Sequence, residues 1–223
     1  MNSLSNRKYW LKWTIACGAG EFLGIAVAAG IWVLHATILG EPQVISQKII
    51  LLVFMIFAGV FEGLVTGGLQ WSVLKIKFTD LKAKNWLFFT ALGAAVAWLL
   101  GMMPSTFFIP DAAGNHSVGF ELSGWLFIFM SAFMGMVLGV IFGIFQWLEL
   151  RKHALAAGQW ILANSVGWLA GIVTIFLGAS LPSADTKLAV TIVIGAVSGL
   201  LGGLFVGAIT GLFLIKLQDK PVT

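Results

Sequence analysis

The sequence predicts an all-α transmembrane fold: a six-helix bundle of three helical hairpins (helices 2–3, 4–5 and 6–1) related by a pseudo-threefold axis, with both termini cytoplasmic. Three observations predict it. Of 223 residues, 59% are hydrophobic and only 10% are charged, whereas an ordinary soluble domain carries about 25% charged residues. Six stretches approach or exceed the roughly 20 apolar residues that a helix needs to cross a hydrocarbon core. Eleven of the thirteen Lys and Arg residues fall on one side of those stretches, and Lys and Arg concentrate on the cytoplasmic side of a membrane.

In chain order the spans are expected near Trp13–Leu39, Ile49–Leu74, Trp86–Met103, Gly124–Leu148, Trp160–Leu181 and Leu188–Ile215. In lipid the backbone must satisfy its own hydrogen bonds, so each is read as a helix. Together they consume most of the chain as a single integral membrane domain over residues 1–223. The first span follows Arg7, Lys8 and Lys12 but is too long for the apolar core of a signal peptide, and is read as an uncleaved anchor. Lys75, Lys77, Lys82 and Lys84 follow the second span, Arg151 and Lys152 the fourth, and Lys216 and Lys220 the sixth; only Lys48 and Lys187 face the other way. The net charge of +4 is explained by this asymmetry, and no nucleic-acid partner is expected.

The hairpins are visible as a repeat. Gly59, Gly63 and Gly67 lead to Gln70, Trp71, Leu74 and Lys75; Gly135, Gly139 and Gly143 lead at the same spacing to Gln146, Trp147, Leu150 and Arg151. Each is followed by a basic loop and a tryptophan, Trp86 or Trp160, that opens the next span. Gly199, Gly203 and Gly207 continue the ladder in the sixth span, with Thr210 in the glutamine position. Trp13, Cys17 and Gly20 in the first span match Trp86, Thr90 and Gly93, so helices 6 and 1 read as a third hairpin broken at the termini. Repeats of two passes keep one orientation, which places the symmetry axis along the membrane normal. Glycine every fourth residue makes a smooth ridge on one helix face, and such ridges let helices approach closely in lipid. The glycines are therefore read as packing surfaces.

This Gly-ladder and Gln-Trp hairpin resembles small multi-pass bacterial membrane proteins of uncharacterised function. The resemblance covers helices 2 to 5 well and helices 6 and 1 loosely. It implies a bacterial inner-membrane protein and imports no activity.

Polar residues at membrane depth are few, and they define the candidate site. Glu62 lies thirteen residues before Lys75, about 20 Å along a helix and so near the midplane. Glu21 lies nine residues after Lys12. No basic residue occurs inside any span to pair with them, and a central acid costs at least about 2.5 kcal/mol on insertion scales. Each is therefore expected to face the interior or a wet cavity. Glu62, Thr66 and Gln70 share one helix face; Thr14 and Cys17 extend a weaker stripe from Glu21. Gln146 and Asn164 are expected to join Gln70 in a polar cavity on the cytoplasmic side, and Trp168 to line it. Trp10, Trp13, Trp71, Trp86, Trp147 and Trp160 are expected at the headgroup level as an aromatic belt.

Two acids on adjacent helices without basic partners are what a proton or cation pathway needs. The chain is accordingly read as a small-solute or ion carrier or permeation protein. Its cargo would be a small solute, a proton or a cation, and its surroundings the lipid bilayer. The rival reading is a non-catalytic scaffold, accessory subunit or substrate-binding subunit, with a membrane protein or a second copy as partner. No catalytic motif is found, and neither a cofactor nor a metal is expected. Asp111, His116 and Glu121 in the long outer loop read as solvated residues.

Overall fold

The computed structural model describes residues 3–40, 42, 44–108, 124–183 and 185–220. Six helices make up nearly all of it: α1 (Ser3–Leu39), α2 (Ile45–Leu74), α3 (Ala83–Met103), α4 (Gly124–Leu150), α5 (Gln159–Ala179) and α6 (Leu188–Leu214). Each is long and apolar enough to cross a membrane, as a multi-pass membrane protein requires. The outer-loop residues Asp111, His116 and Glu121 lie outside the described residues.

The expected spans match the helices to within a few residues except at the N-terminus, where α1 begins ten residues before Trp13. No proline or glycine interrupts Ser3–Cys17, so nothing stops the helix at the edge of its apolar run. Its 37 residues extend about 55 Å, well beyond a core of about 30 Å, and the surplus carries Arg7, Lys8 and Lys12. At the other end Gly40 takes a left-handed φ of 73°, a helix-terminating conformation that glycine adopts at little cost. Pro104, which has no N–H to donate, stands where α3 gives way to a π-helical turn, Pro104–Phe108.

The helices form a closed ring in which each packs on the next and α6 packs on α1. The glycine ladders face the adjoining helices. A side chain at Gly63 would strike Ala91 and Ala94 of α3, one at Gly139 would strike Asn164 and Ser165 of α5, and one at Gly203 would strike Cys17 and Glu21 of α1.

One end of the ring gathers Trp13, Trp86 and Trp160 with the short loops; it is called here the tryptophan end. Three loops interlock there. Lys77 donates to the carbonyls of Leu214 and Ile215 at the C-terminus of α6, where a cation meets the negative helix end. Asn85 and Lys152 donate to the buried carboxylate of Glu149, and His153 bridges toward Asp80. A two-residue ribbon, β1 (Ala154–Leu155) with β2 (Gln218–Asp219), ties the C-terminal segment to the loop between α4 and α5.

Candidate functional site

The site is built on the seam between α1 and α2, where the two polar stripes face each other. Gln70 Nε2 lies 3.5 Å from Cys17 Sγ. One turn further in, Gly20 lies against Thr66, and Gly24 lies against the side chain of Glu62. Glycine at both α1 positions leaves space for the α2 side chains; an alanine methyl at Gly24 would collide with the glutamate. Glu21 points off the same seam toward α6, packed on Gly199 and Gly203. Small residues on two helices thus make room for two acids.

Those acids meet. Glu21 and Glu62 are 2% and 4% exposed, and their side chains are close enough to interact directly. A hydrogen bond between the two would need a hydrogen on one partner, because an ionised carboxylate only accepts. Glu62 Oε2 also accepts from the indole Nε1 of Trp98 at 2.9 Å, whereas Oε2 of Glu21 has no partner among the described residues. Trp98 is a site residue that sequence reasoning missed. The signal was present: an indole at mid-span in α3 needs an acceptor.

The pair forms the base of a cavity of about 180 Å³. Its walls are Ala97, Trp98 and Met102 of α3, Leu138 of α4, and Trp168 and Ile172 of α5. Burial falls from Ala94 and Trp168 toward Met102, Met134 and Ile175, so the cavity runs from the acids toward the end opposite the tryptophans. Its surface is overwhelmingly apolar. Trp168 stacks at 5.5 Å on Phe142, and its Nε1 has no hydrogen-bond partner among the described residues.

This corrects the expectation of a polar cavity reaching the Gln70 and Gln146 side. That side is sealed. Gln146 Nε2 donates to Gln70 Oε1 at 2.9 Å and lies 3.3 Å from Thr90 Oγ1, while its Oε1 accepts from Trp160 Nε1 at 2.9 Å. Trp13 Nε1 donates to Thr210 Oγ1 at 2.8 Å. In lipid an amide that meets another helix's donor bonds to it directly, and no water is needed.

Asn164 is also corrected: its Nδ2 donates to Trp160 O of its own helix, at the seam with α4 and away from Glu62. The belt expectation fails for three tryptophans. Trp13, Trp86 and Trp160 are at most 1% exposed and pack edge to face, Trp160 lying 5.6 Å from Trp13 and 6.5 Å from Trp86. They plug the bundle. Trp10, Trp71 and Trp147 are only partly buried. Lys75 and Arg151 sit over the last two rings at 4.5 and 4.7 Å.

The seven predicted site residues therefore separate into two groups. Glu62, Glu21 and Trp168 belong to the cavity; Gln70, Gln146 and Asn164 belong to the plug and its helix seams. Thr66 lies between them, with its hydroxyl unpartnered among the described residues. Those residues contain no group of three or more His, Cys, Asp or Glu side chains that could hold a metal ion.

No protein-family model matches the sequence, and neither the curated proteins nor the solved structures contain a match to it.

Proposed function

We propose that the protein is a small-solute or ion carrier of a bacterial inner membrane, with both termini cytoplasmic and the Glu21–Glu62 pair as its working site. The observation that carries this reading is the carboxyl pair itself, buried at the base of a cavity that runs to one end of the bundle and is sealed at the other. Two neighbouring buried carboxyl groups without a basic partner are equipped to take up and give off a proton as cargo arrives and leaves. The sealed end lies on the side rich in Lys and Arg, so the cavity faces away from the cytoplasm in this reading.

Three pseudo-equivalent hairpins, α2–α3, α4–α5 and α6–α1, supply the frame. The Trp160–Gln146 and Trp13–Thr210 bonds occupy matching places in two of them, and the Gly63, Gly139 and Gly203 contacts occur in all three. The acids break that symmetry, since Leu138 and Gly202 take the position of Glu62 and Ala94 and Trp168 that of Glu21. A shared frame with one asymmetric polar pair fits a site better than a packing device. The scaffold reading is weakened because the glycine faces it would offer a partner are used within the chain.

The test is reconstitution into liposomes with an internal pH dye and a panel of ion and solute gradients. Wild-type protein is expected to couple one of these gradients to proton movement. Glu62→Gln should remain folded, since the amide is nearly isosteric and can still accept from Trp98, and should lose that movement. Folded Glu62→Gln with wild-type flux would sink the reading.

A further inference from the structure

The form of the cavity narrows the ligand, granted the reading of the acid pair as the working site. A bare metal ion is a poor match. Hard cations take about six to eight oxygen ligands, and the cavity supplies two carboxyl groups in an otherwise apolar lining. An anion would meet the carboxyl pair. A purely apolar molecule would offer no donor to the carboxyl groups of Glu21 and Glu62, which line the cavity.

We infer that the cavity binds a small organic ammonium ion with an apolar body. Its N–H groups donate to the Glu21 and Glu62 carboxyl oxygens, as charge-assisted bonds. The rings of Trp98, Trp168 and Phe142 receive the cation and its apolar body, since aromatic faces attract cations. Size sets the scale: a dry apolar cavity of about 150 Å³ admits benzene, so one of about 180 Å³ suits a benzylamine-sized molecule rather than a lipid chain.

The experiment is calorimetric titration of the protein in phosphatidylcholine nanodiscs, with empty nanodiscs as the blank. The probes are benzylamine and benzyl alcohol. Saturable binding of the amine is expected, with the alcohol not binding. Glu21→Gln/Glu62→Gln should weaken the amine by at least about tenfold. Should the double variant fail to fold, Ala97→Phe fills the cavity from the α3 wall without touching either acid, and should abolish binding.

The assignment is overturned by no saturable amine binding in wild-type protein, by equal binding in the double glutamine variant or in Ala97→Phe, or by benzyl alcohol binding as tightly as benzylamine. The carrier reading fails or stands separately: proton flux that depends on Glu62, without amine binding, removes this ligand class and leaves the carrier. Amine binding that depends on Glu62, without any flux, leaves a binding site and removes the carrier.

Discussion

The two ends of the bundle use the same residue types for opposite purposes. At the tryptophan end, indoles and amides pair across helices: Trp160 with Gln146, Gln146 with Gln70, and Trp13 with Thr210. Among the described residues, the N–H of Trp86 and the hydroxyl of Tyr9 are the buried side-chain groups without a partner in that cluster, and the rings close around them. Toward the opposite end Trp98 satisfies Glu62, but the Trp168 N–H and one oxygen of Glu21 have no partner among the described residues, beside a cavity. Buried polar groups are costly unless hydrogen-bonded. The contrast teaches that polarity at membrane depth does not mark an opening; an unsatisfied polar atom beside empty space is the better marker.

The comparison can be broken most forcefully at the glycines. Gly139→Leu drives a side chain into the α5 backbone at Asn164 and should cost about 3 kcal/mol, seen as a large fall in thermal midpoint in detergent. Gly68→Leu is the control, because nothing lies within 4 Å of a side chain there, and it should stay within about 0.5 kcal/mol. Equal effects would remove the argument that the ladder is a contact face.

The next effect separates bonded from unbonded polar groups. Gln146→Leu strands the Trp160 N–H and the Gln70 side-chain carbonyl in the plug, and should cost about 1–2 kcal/mol. Thr66→Val removes a hydroxyl that has no partner among the described residues at nearly constant volume, and should change stability by less than about 0.5 kcal/mol. If Thr66→Val is the more damaging of the two, the division into bonded plug and unbonded groups is wrong.

The smallest effect concerns Lys77. Its half-buried ammonium is held below the usual lysine pKa of 10.5, chiefly by burial. The folded chain therefore releases this proton before the unfolded chain does. Between the lowered pKa and 10.5 the unfolded state binds more protons, so stability rises with pH across that window. Solvent screening keeps the gain below about 0.5 kcal/mol. The difference in thermal midpoint between wild-type and Lys77→Met protein, followed from pH 8 to pH 10.5, should grow in favour of the wild type. A constant difference would contradict the sign.

Much of the fold was legible because lipid leaves few choices. An apolar run of sufficient length must be a helix, and the expected ends at Leu39, Leu74 and Met103 coincide with those of α1, α2 and α3. The interior position of both acids was legible for the same reason. What a single-helix period does not encode is the register between helices. That Gly24 would sit under Glu62, or that Glu21 would reach Glu62 across the seam, depends on how α1 slides along α2. The direction of the cavity is not legible in the sequence, because Gln70, Gln146 and Asn164 read there as a polar cavity, whereas each has a protein partner within reach. Trp13, Trp86 and Trp160 were assigned to the headgroup level by depth alone, although rings at that depth can equally face inward.

The most direct test of the one-ended cavity is cysteine reactivity in vesicles of known orientation, in a Cys17→Ser background. Ala97→Cys places a thiol on the cavity wall, and Thr90→Cys places one in the plug. An impermeant cationic methanethiosulfonate is added first from the face that carries Ser183 and then from the face that carries Lys84. The account predicts that Ala97→Cys reacts from the Ser183 face and is far slower from the Lys84 face, while Thr90→Cys reacts from neither. Faster modification of Ala97→Cys from the Lys84 face, or ready modification of Thr90→Cys from that face, would contradict it.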